Sequence, residues 1–432
     1  MGCQDSPERT GELWSILKGY KFRDVRDMNG KKIIVGVCGG IAAYKTAELV
    51  RRLVKADAQT FVAMTSNAAR FVTPLTFEAL SGNRVIRDMW DGEGSSIDHI
   101  TWGQESDLII IAPATANFIA KMAHGIGDDF LSTMVLAATA GILVCPSMNS
   151  QMFNNPAVQD NLNVLKARGI FVMEPDEGQL ACHTEGPGRL PEPEDMMEQA
   201  FTLITRQDLS GLKILVTAGP TIEPIDPVRY ITNRSSGKMG YALARAARRR
   251  GASVTLVSGP TCLKPPYGVE FFGTKTAEDM KQAVFENHPK CNIIIKAAAV
   301  SDYRPIDRAA HKIKKEAEAL SLELIKNPDI LAELGSARKK SNCLLVGFAA
   351  ETKDLTANAK KKLRGKNLDM IVANDVSRTD SGFETDTNIV KIIYSDGKVE
   401  ELALMTKDEV ANLVLDRIKA MWESRGEHRS GN

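Results

Sequence analysis

None of the seven cysteines (Cys3, Cys38, Cys145, Cys182, Cys262, Cys291, Cys343) forms a CxxC pair, which excludes a disulfide framework or a zinc site of familiar spacing. No apolar run approaches the ~18–20 residues needed to cross a bilayer. Charge of one sign is also missing. Lys and Arg number 55 against 54 Asp and Glu, and a net +1 gives no electrostatic footprint for non-specific nucleic-acid binding. The G-x-G-x-x-G fingerprint fails at Cys38, two residues after Gly36. Walker A fails too, since Thr232 stands where its first glycine belongs and Met239 follows Gly237-Lys238. What is there is 432 residues, 43% hydrophobic and 25% charged, which is ordinary globular usage. At roughly 150 residues per domain the chain has room for two or three. A cytoplasmic α/β protein without membrane or nucleic-acid partners is the expectation.

Residues 1–29 read as an N-terminal extension. Met1-Gly2-Cys3-Gln4-Asp5-Ser6 fits the loose myristoylation pattern, but the segment lacks the apolar core of a signal peptide. From Lys32 the text changes. Ile33 to Val37 is a β-branched run expected of a strand buried on both faces, Gly39-Gly40 makes a turn, and Ile41 to Val54 has helical apolar spacing. Gln59–Met64, Leu108–Ala112 (stopped by Pro113) and Ile142–Cys145 (stopped by Pro146) read as further strands, with helices between them. Residues 30–190 therefore predict an open parallel sheet with helices on both faces. Residues 191–210, punctuated by Pro191, Pro193 and Gly211 around a helical stretch, read as a linker. KILVTAG from Lys213 then restarts the alternation, so 211–432 predicts a second doubly wound domain.

The chemistry of the first half is spread over strand ends. Strand–Gly-Gly–helix at 33–54 offers backbone N–H groups and a positive helix end to a phosphate, or it is a turn that only lets helix pack on strand. The loops at Thr65, at Thr115-Ala116-Asn117 and at Asn149 bring hydroxyl and amide groups to the same edge. His99 reads as part of a short loop, and Cys182 lies in a glycine-flanked segment; each also has a plain structural reading.

Taken in order, GGIAAYK (39–45), PATAN (113–117), GIGDD (125–129), PSMN (146–149) and ACHTEGPGR (181–189) resemble the FMN-dependent cysteine decarboxylase family of coenzyme A synthesis. The resemblance implies a flavodoxin-like FMN-binding fold and decarboxylation of 4′-phosphopantothenoyl-cysteine. An α-amido carboxylate lacks an electron sink, and oxidising its thiol to a thioaldehyde creates one. The resemblance implies that Gly39, Gly40, Ile41, Thr65, Thr115, Ala116 and Asn117 hold FMN. His99 would act as base or orienting group, Asn149 would contact the substrate carboxylate, and Cys182 would donate a proton. Arg189 would pair with a phosphate or with the lid itself. PSMN with Phe153 stands where PAMN with Trp is the family pattern, a small departure.

In the second half, residues 217–240 form a polar segment of ~20 residues between strand and helix, a length that is often functional. Arg229, Asn233, Ser235, Ser236 and Lys238 gather there, as for an anionic substrate, and His311, Lys312, Lys314 and Lys315 make a basic run. AGPTIEPIDPVRYITNRSSGKMG (218–240), AAVSDYRP (298–305), KIKK (312–315), KNPDI (326–330), VGFAAET (346–352) and KNLDMIVANDVS (366–377) resemble phosphopantothenate–cysteine ligases. Decarboxylase then ligase on one chain is the order of the bacterial bifunctional family. The resemblance implies that Asp302, Lys312, Asn327, Pro328, Asp329, Ile330, Phe348, Lys362 and Lys366 bind CTP. Lys312 would serve nucleotidyl transfer, Asn233 would stabilise an acyl-cytidylate and Arg229 would meet the substrate. Mg²⁺ is implied, with ligands unknown, as is a homo-oligomer.

Two rivals are weaker. A different flavin or nicotinamide oxidoreductase lacks its dinucleotide fingerprint here, and a flavin-binding regulatory subunit does not account for His99, Asn149 and Cys182 together.

Overall fold

A computed structural model describes residues 28–90, 97–179, 185–314, 320–338, 343–351, 354–375 and 385–430. Most of the extension 1–29, together with Cys182 and Lys315, lies outside them. The first sheet is built from β1 (Lys32–Val37), α1 (Ala43–Lys55), β2 (Gln59–Met64), α2 (Pro74–Ser81), β3 (Val85–Ile86), α3 (Asp98–Glu105), β4 (Leu108–Ala114), α4 (Ala116–His124), α5 (Phe130–Leu136), β5 (Gly141–Pro146), α6 (Ser150–Phe153), α7 (Pro156–Ala167) and β6 (Phe171–Val172). Every pairing is parallel, in the order β3-β2-β1-β4-β5-β6. Without the two-residue edge strand β3 this is the flavodoxin-like order, and its switch point lies between β1 and β4.

The alternation of a strand explains the apolar run at 33–37. Ile33, Val35 and Val37 join Leu49, Val50 and Leu53 of α1 on one face. Ile34 joins Phe118, Ile119 and Met134 on the other. β4 runs two residues past its expected end at Pro113. The register with β5 shifts between Ile111 and Ala114, and a residue without an N–H is tolerated at such a break in the ladder.

β7 (Asp176–Gln179) and β8 (Glu185–Arg189) form an antiparallel hairpin. The segment read as a linker contains α8 (Pro193–Ile204), whose Met196, Met197 and Ala200 are buried in the first sheet's core. Lys45 Nζ ties its approach through Glu192 (2.9 Å) and the Leu190 carbonyl (3.1 Å).

The second sheet follows the same scheme. Its elements are β9 (Lys213–Ala218), β10 (Ile222–Pro224), β11 (Tyr230–Thr232), α9 (Lys238–Arg249), β12 (Ser253–Ser258), β13 (Glu270–Gly273), α10 (Ala277–Asn287), β14 (Ile293–Lys296), β15 (Tyr303–Pro305), β16 (Leu324–Lys326), α11 (Ile330–Ala337), β17 (Leu344–Glu351), α12 (Leu355–Gly365), β18 (Met370–Asp375), β19 (Thr387–Asn388), β20 (Val390–Tyr394), β21 (Val399–Glu401), β22 (Met405–Thr406) and α13 (Lys407–Ser430). The order β13-β12-β9-β14-β17-β18-β20-β21 puts its switch point between β9 and β14. Pairing is parallel through β18 and antiparallel at β20 and β21, an edge the strand pattern did not reveal. α13 covers this sheet with Val410, Ala411, Val414, Leu415 and Ile418.

A buried charge cluster ties α9, the approach to β9 and α13 together. Arg250 meets Asp208 with both guanidinium arms (2.9 Å each), lies 2.8 Å from Asp416 and donates to the Asn412 carbonyl (3.2 Å). Removing Arg250 leaves the largely buried Asp208 with Lys419 as its one remaining cation among the described residues. Arg250→Met should therefore lower the stability of the second sheet by about 3–5 kcal/mol in urea denaturation. A loss below about 1 kcal/mol would show that Lys419, 3.2 Å from Asp208, suffices.

Candidate active sites

At the first switch point the glycine turn is defined by contact. A Cβ on Gly39 would sit 2.5 Å from Asn67 Cβ and 2.8 Å from the Asn67 carbonyl carbon, so the turn after β1 touches the turn after β2. Thr65 closes that second turn, donating its N–H to the Val37 carbonyl (3.0 Å) and accepting from Ala68 N at Oγ1 (3.3 Å). Cys38 N donates to the Pro113 carbonyl (3.2 Å), drawing the β1 and β4 ends together. Thr115 caps α4 by accepting from Phe118 N (3.4 Å), which leaves Ala116 and Asn117 in the first helical turn beside the crevice. Ile41 is 62% exposed at the same edge. Cys38 and Cys145 are packed structure, because burial pushes their thiols up, that of Cys38 to about 12.

Asn149 follows β5 and caps α6, its Oδ1 accepting from Gln151 N (2.8 Å). The hairpin passes over it: Met148 N donates to the Gly188 carbonyl (3.0 Å). Next to Asn149, the buried Ser150 Oγ has no partner among the described residues. His99 is half-buried in the first turn of α3, not in the loop expected. The other end of α3, Glu105, meets Lys32 at the start of β1 (3.0 Å). The helix therefore runs against the strands and carries His99 about 10 Å toward their carboxyl edge. Arg189 lies 3.5 Å from Glu192.

The second switch point opens into a cavity of about 350 Å³ lined by Lys296, Val300, Ser301, Asp302, Tyr303, Lys326, Asn327, Pro328, Asp329, Ile330 and Lys366. Lys366 pairs with Asp329 at 2.7 Å, and Asp329 also caps α11 at Ala332 N (3.0 Å). Burial would raise the Asp329 carboxyl, but Lys366, the Ala332 N–H and the charge of Lys296 outweigh it and hold it low. Asn327 is fixed from both sides, accepting from Arg304 Nη1 (2.9 Å) and donating to the Ser301 carbonyl (2.9 Å). Asn233 reaches the rim, its Nδ2 on the Val300 carbonyl (3.0 Å).

Beside the cavity, the expected loop 217–240 is partly a hairpin of β10 and β11. Its turn is organised by buried Asp226, whose carboxylate accepts from Val228 N (2.7 Å), Arg229 N (2.8 Å), the Arg229 guanidinium (2.7 and 2.9 Å) and Ile313 N (3.2 Å). Burial raises its carboxyl, and these donations outweigh that and hold it far below the usual range. Arg229 Nη2 also donates to the Ile313 carbonyl (2.7 Å), and Ala309 N donates to the Ile225 carbonyl (3.0 Å). The hairpin thus grips the segment that bears Lys312.

Two family models match in series: "Flavoprotein" over residues 22–205 and "DNA/pantothenate metabolism flavoprotein C-terminal domain" over residues 209–421. The coenzyme A biosynthesis bifunctional protein CoaBC of Bacillus subtilis is 48% identical over 405 residues, covering 93% of this chain and 99% of that protein. The chain belongs to this bifunctional family. The Escherichia coli K12 member is 46% identical over 401 residues (92% and 98% of the two chains), and that of Vibrio cholerae 45% over 397 (91% and 99%).

Of the nucleotide residues that the family resemblance implies, the cavity gathers Asp302, Asn327, Pro328, Asp329, Ile330 and Lys366. It does not gather the other three. Lys312 is exposed on the gripped segment, Phe348 of β17 packs against the apolar core, and Lys362 of α12 pairs with Glu351 at 2.7 Å. Arg229 is at the hairpin turn rather than at the start of α9, because Asp226 holds it there. Lys296, Ser301 and Asp226 went unmarked in the sequence. A lysine ending the apolar run Ile293–Ile295 is the signal that would have found the first.

Proposed function

We propose that the chain makes 4′-phosphopantetheine in two steps, ligating 4′-phosphopantothenate to cysteine at the second switch point and decarboxylating the product at the first. What supports this reading is the two sheet switch points: at the first the glycine turn after β1 packs on the turn after β2, and at the second a cavity is lined by six of the nine residues that the ligase resemblance assigns to CTP.

In the ligation, the substrate carboxylate attacks the α-phosphorus of CTP and releases pyrophosphate; cysteine's amine then displaces CMP from the acyl-cytidylate. Carboxylates are poor acylating agents, and nucleotidyl activation supplies the leaving group. Lys366 and Lys312 offset charge on the triphosphate, Asn233 at the rim is assigned to the acyl-cytidylate, and Arg229 to ordering the Lys312 segment and meeting the substrate. Phe348 and Lys362 stand as CTP residues on the family motif alone. Mg²⁺ would enter with the triphosphate. Among the described residues no group of three or more His, Cys, Asp or Glu could hold a metal ion.

In the first crevice, the close Gly39–Asn67 approach and the capped turn at Thr115 fit FMN, which would rest on Gly39, Gly40, Ile41, Thr65, Thr115, Ala116 and Asn117. When bound, FMN supplies the two-electron oxidation and return reduction of the substrate's thiol-bearing carbon. Asn149, with its oxygen on Gln151 N, would donate Nδ2 to the substrate carboxylate, His99 would hold or take a proton, and Cys182 would return one.

Exposed apolar side chains around the first sheet, among them Tyr44 (61%), Leu75 (71%) and Leu136 (53%), support a homo-oligomer. No helix among the described residues is long and apolar enough to cross a membrane, and the cytoplasm is the proposed location.

The test supplies 4′-phosphopantothenate, cysteine, CTP and Mg²⁺ to the FMN-loaded chain. Pyrophosphate, carbon dioxide and 4′-phosphopantetheine should all appear. Cys182→Ser should release pyrophosphate normally, stay yellow and form no 4′-phosphopantetheine; loss of its flavin would reassign Cys182 to structure.

A further inference from the structure

The cavity of the second sheet holds a cation and a hydroxyl to which the family assignments give no role. Lys296 ends β14, and the residues level with it on the neighbouring strands, Thr217 of β9 and Gly347 of β17, are uncharged. The ionisable groups bearing on it are Lys366, Asp329 and Asp302. Lys366 lies 2.7 Å from Asp329. Among the described residues, no hydrogen bond or ion pair reaches the Lys296 ammonium. Burial pushes that ammonium down to about 8, Lys366 pushes the same way, and Asp329 and Asp302 oppose them.

Ser301, 2% exposed, lines the same cavity. Its backbone is pinned, with the N–H on Thr221 Oγ1 (3.0 Å) and the carbonyl on Asn327 Nδ2 (2.9 Å). Its Oγ is buried and has no partner among the described residues. The buried, unsatisfied hydroxyl costs free energy, the half-buried ammonium beside it is only partly hydrated, and an anion donated to by both is favoured on both counts.

We propose that Lys296 and Ser301 form an anion-receiving pair in this cavity and donate to a phosphate oxygen of the bound nucleotide. The proposal rests on the reading of the cavity as a nucleotide site. A phosphate oxygen favours the charged form of Lys296 in the complex. Below about pH 8 the free lysine is already protonated and affinity is flat; above it, binding must first take up a proton, and affinity falls by up to tenfold per pH unit. A neutral nucleobase at this place would not produce that slope.

The experiment is calorimetric titration of the full chain with CTP and Mg²⁺ from pH 7 to 9.5, in two buffers of different ionisation enthalpy. Wild type should take up a proton on binding and lose affinity above about pH 8. Lys296→Met should weaken binding about 10–100-fold at pH 7 and flatten the profile. Lys296→Arg should keep most of the affinity and lose the slope, because its guanidinium does not titrate in this range. A Met variant that binds as wild type does, or keeps the slope, overturns the proposal and leaves the nucleotide reading standing. A wild-type chain that binds no CTP overturns both. Should the Met variant not fold, Ser301→Ala carries the test: affinity several-fold weaker with the slope retained supports the pair, and unchanged affinity overturns it.

Discussion

Gly39→Val should yield a colourless protein that still makes pyrophosphate. The new side chain must begin 2.5 Å from Asn67 Cβ and 2.8 Å from the Asn67 carbonyl carbon, and the second of these is backbone that cannot rotate away. The turn after β1 must then lift off the turn after β2, taking Gly40 and Thr65 out of register. Misplacement on the order of 1 Å is enough to cost about 10²-fold in a positioned reaction, so carbon dioxide release should fall at least that far. The ligase crevice, on the other sheet, should be untouched. Absorbance of the purified variant near 450 nm (roughly where oxidised flavins absorb) decides the matter. A variant with a full complement of FMN would show that this approach of the two turns does not shape the cofactor site.

Asp226→Ala should do the converse, sparing decarboxylation and crippling ligation. The carboxylate accepts from Val228, Arg229 and Ile313 together, and without it, among the described residues, only the Arg229–Ile313 and Ala309–Ile225 carbonyl contacts hold the 309–313 segment to the hairpin. Lys312, next to Ile313, would lose its fixed approach to the triphosphate, and pyrophosphate release should drop about 10²-fold. Asp226→Asn should fall in between, because one of its two side-chain atoms still accepts. The contribution of this carboxylate has a definite sign with pH. Its folded value is depressed, so the latch is intact above the ordinary carboxylate value of about 3.9 and is lost only as pH falls through the folded value. Ligase activity between pH 6 and 8 should therefore show no titration from this group. Pyrophosphate release by Asp226→Ala within about threefold of wild type would mean that Lys312 is placed by other contacts.

The two sheets were legible because their strands are buried on both faces, and continuous runs such as Ile33–Val37 and Leu344–Val346 have few other places to go. The glycine turn at 39–40 and the Thr, Asn and Asp residues at strand ends were legible because their types and order recur in a family. Boundaries were less so. Pro113 looked like a stop, but a strand tolerates proline where its ladder is already broken. The helical stretch in the 191–210 segment could be seen, but not that Met196, Met197 and Ala200 complete the first sheet's core.

By itself the sequence determined the alternation of strands and helices, the two halves and their order, and the residue types at each strand end. Those follow from local periodicity and from motifs contiguous along the chain. Only the tertiary structure decided which charges are engaged and which remain available. Asp226 meets Ile313 across 87 positions of sequence, Lys366 meets Asp329 across 37, and Lys296 meets no countercharge in contact. Pairing of that kind depends on where the sheet switches direction and on what burial does to each group there. No local pattern encodes it.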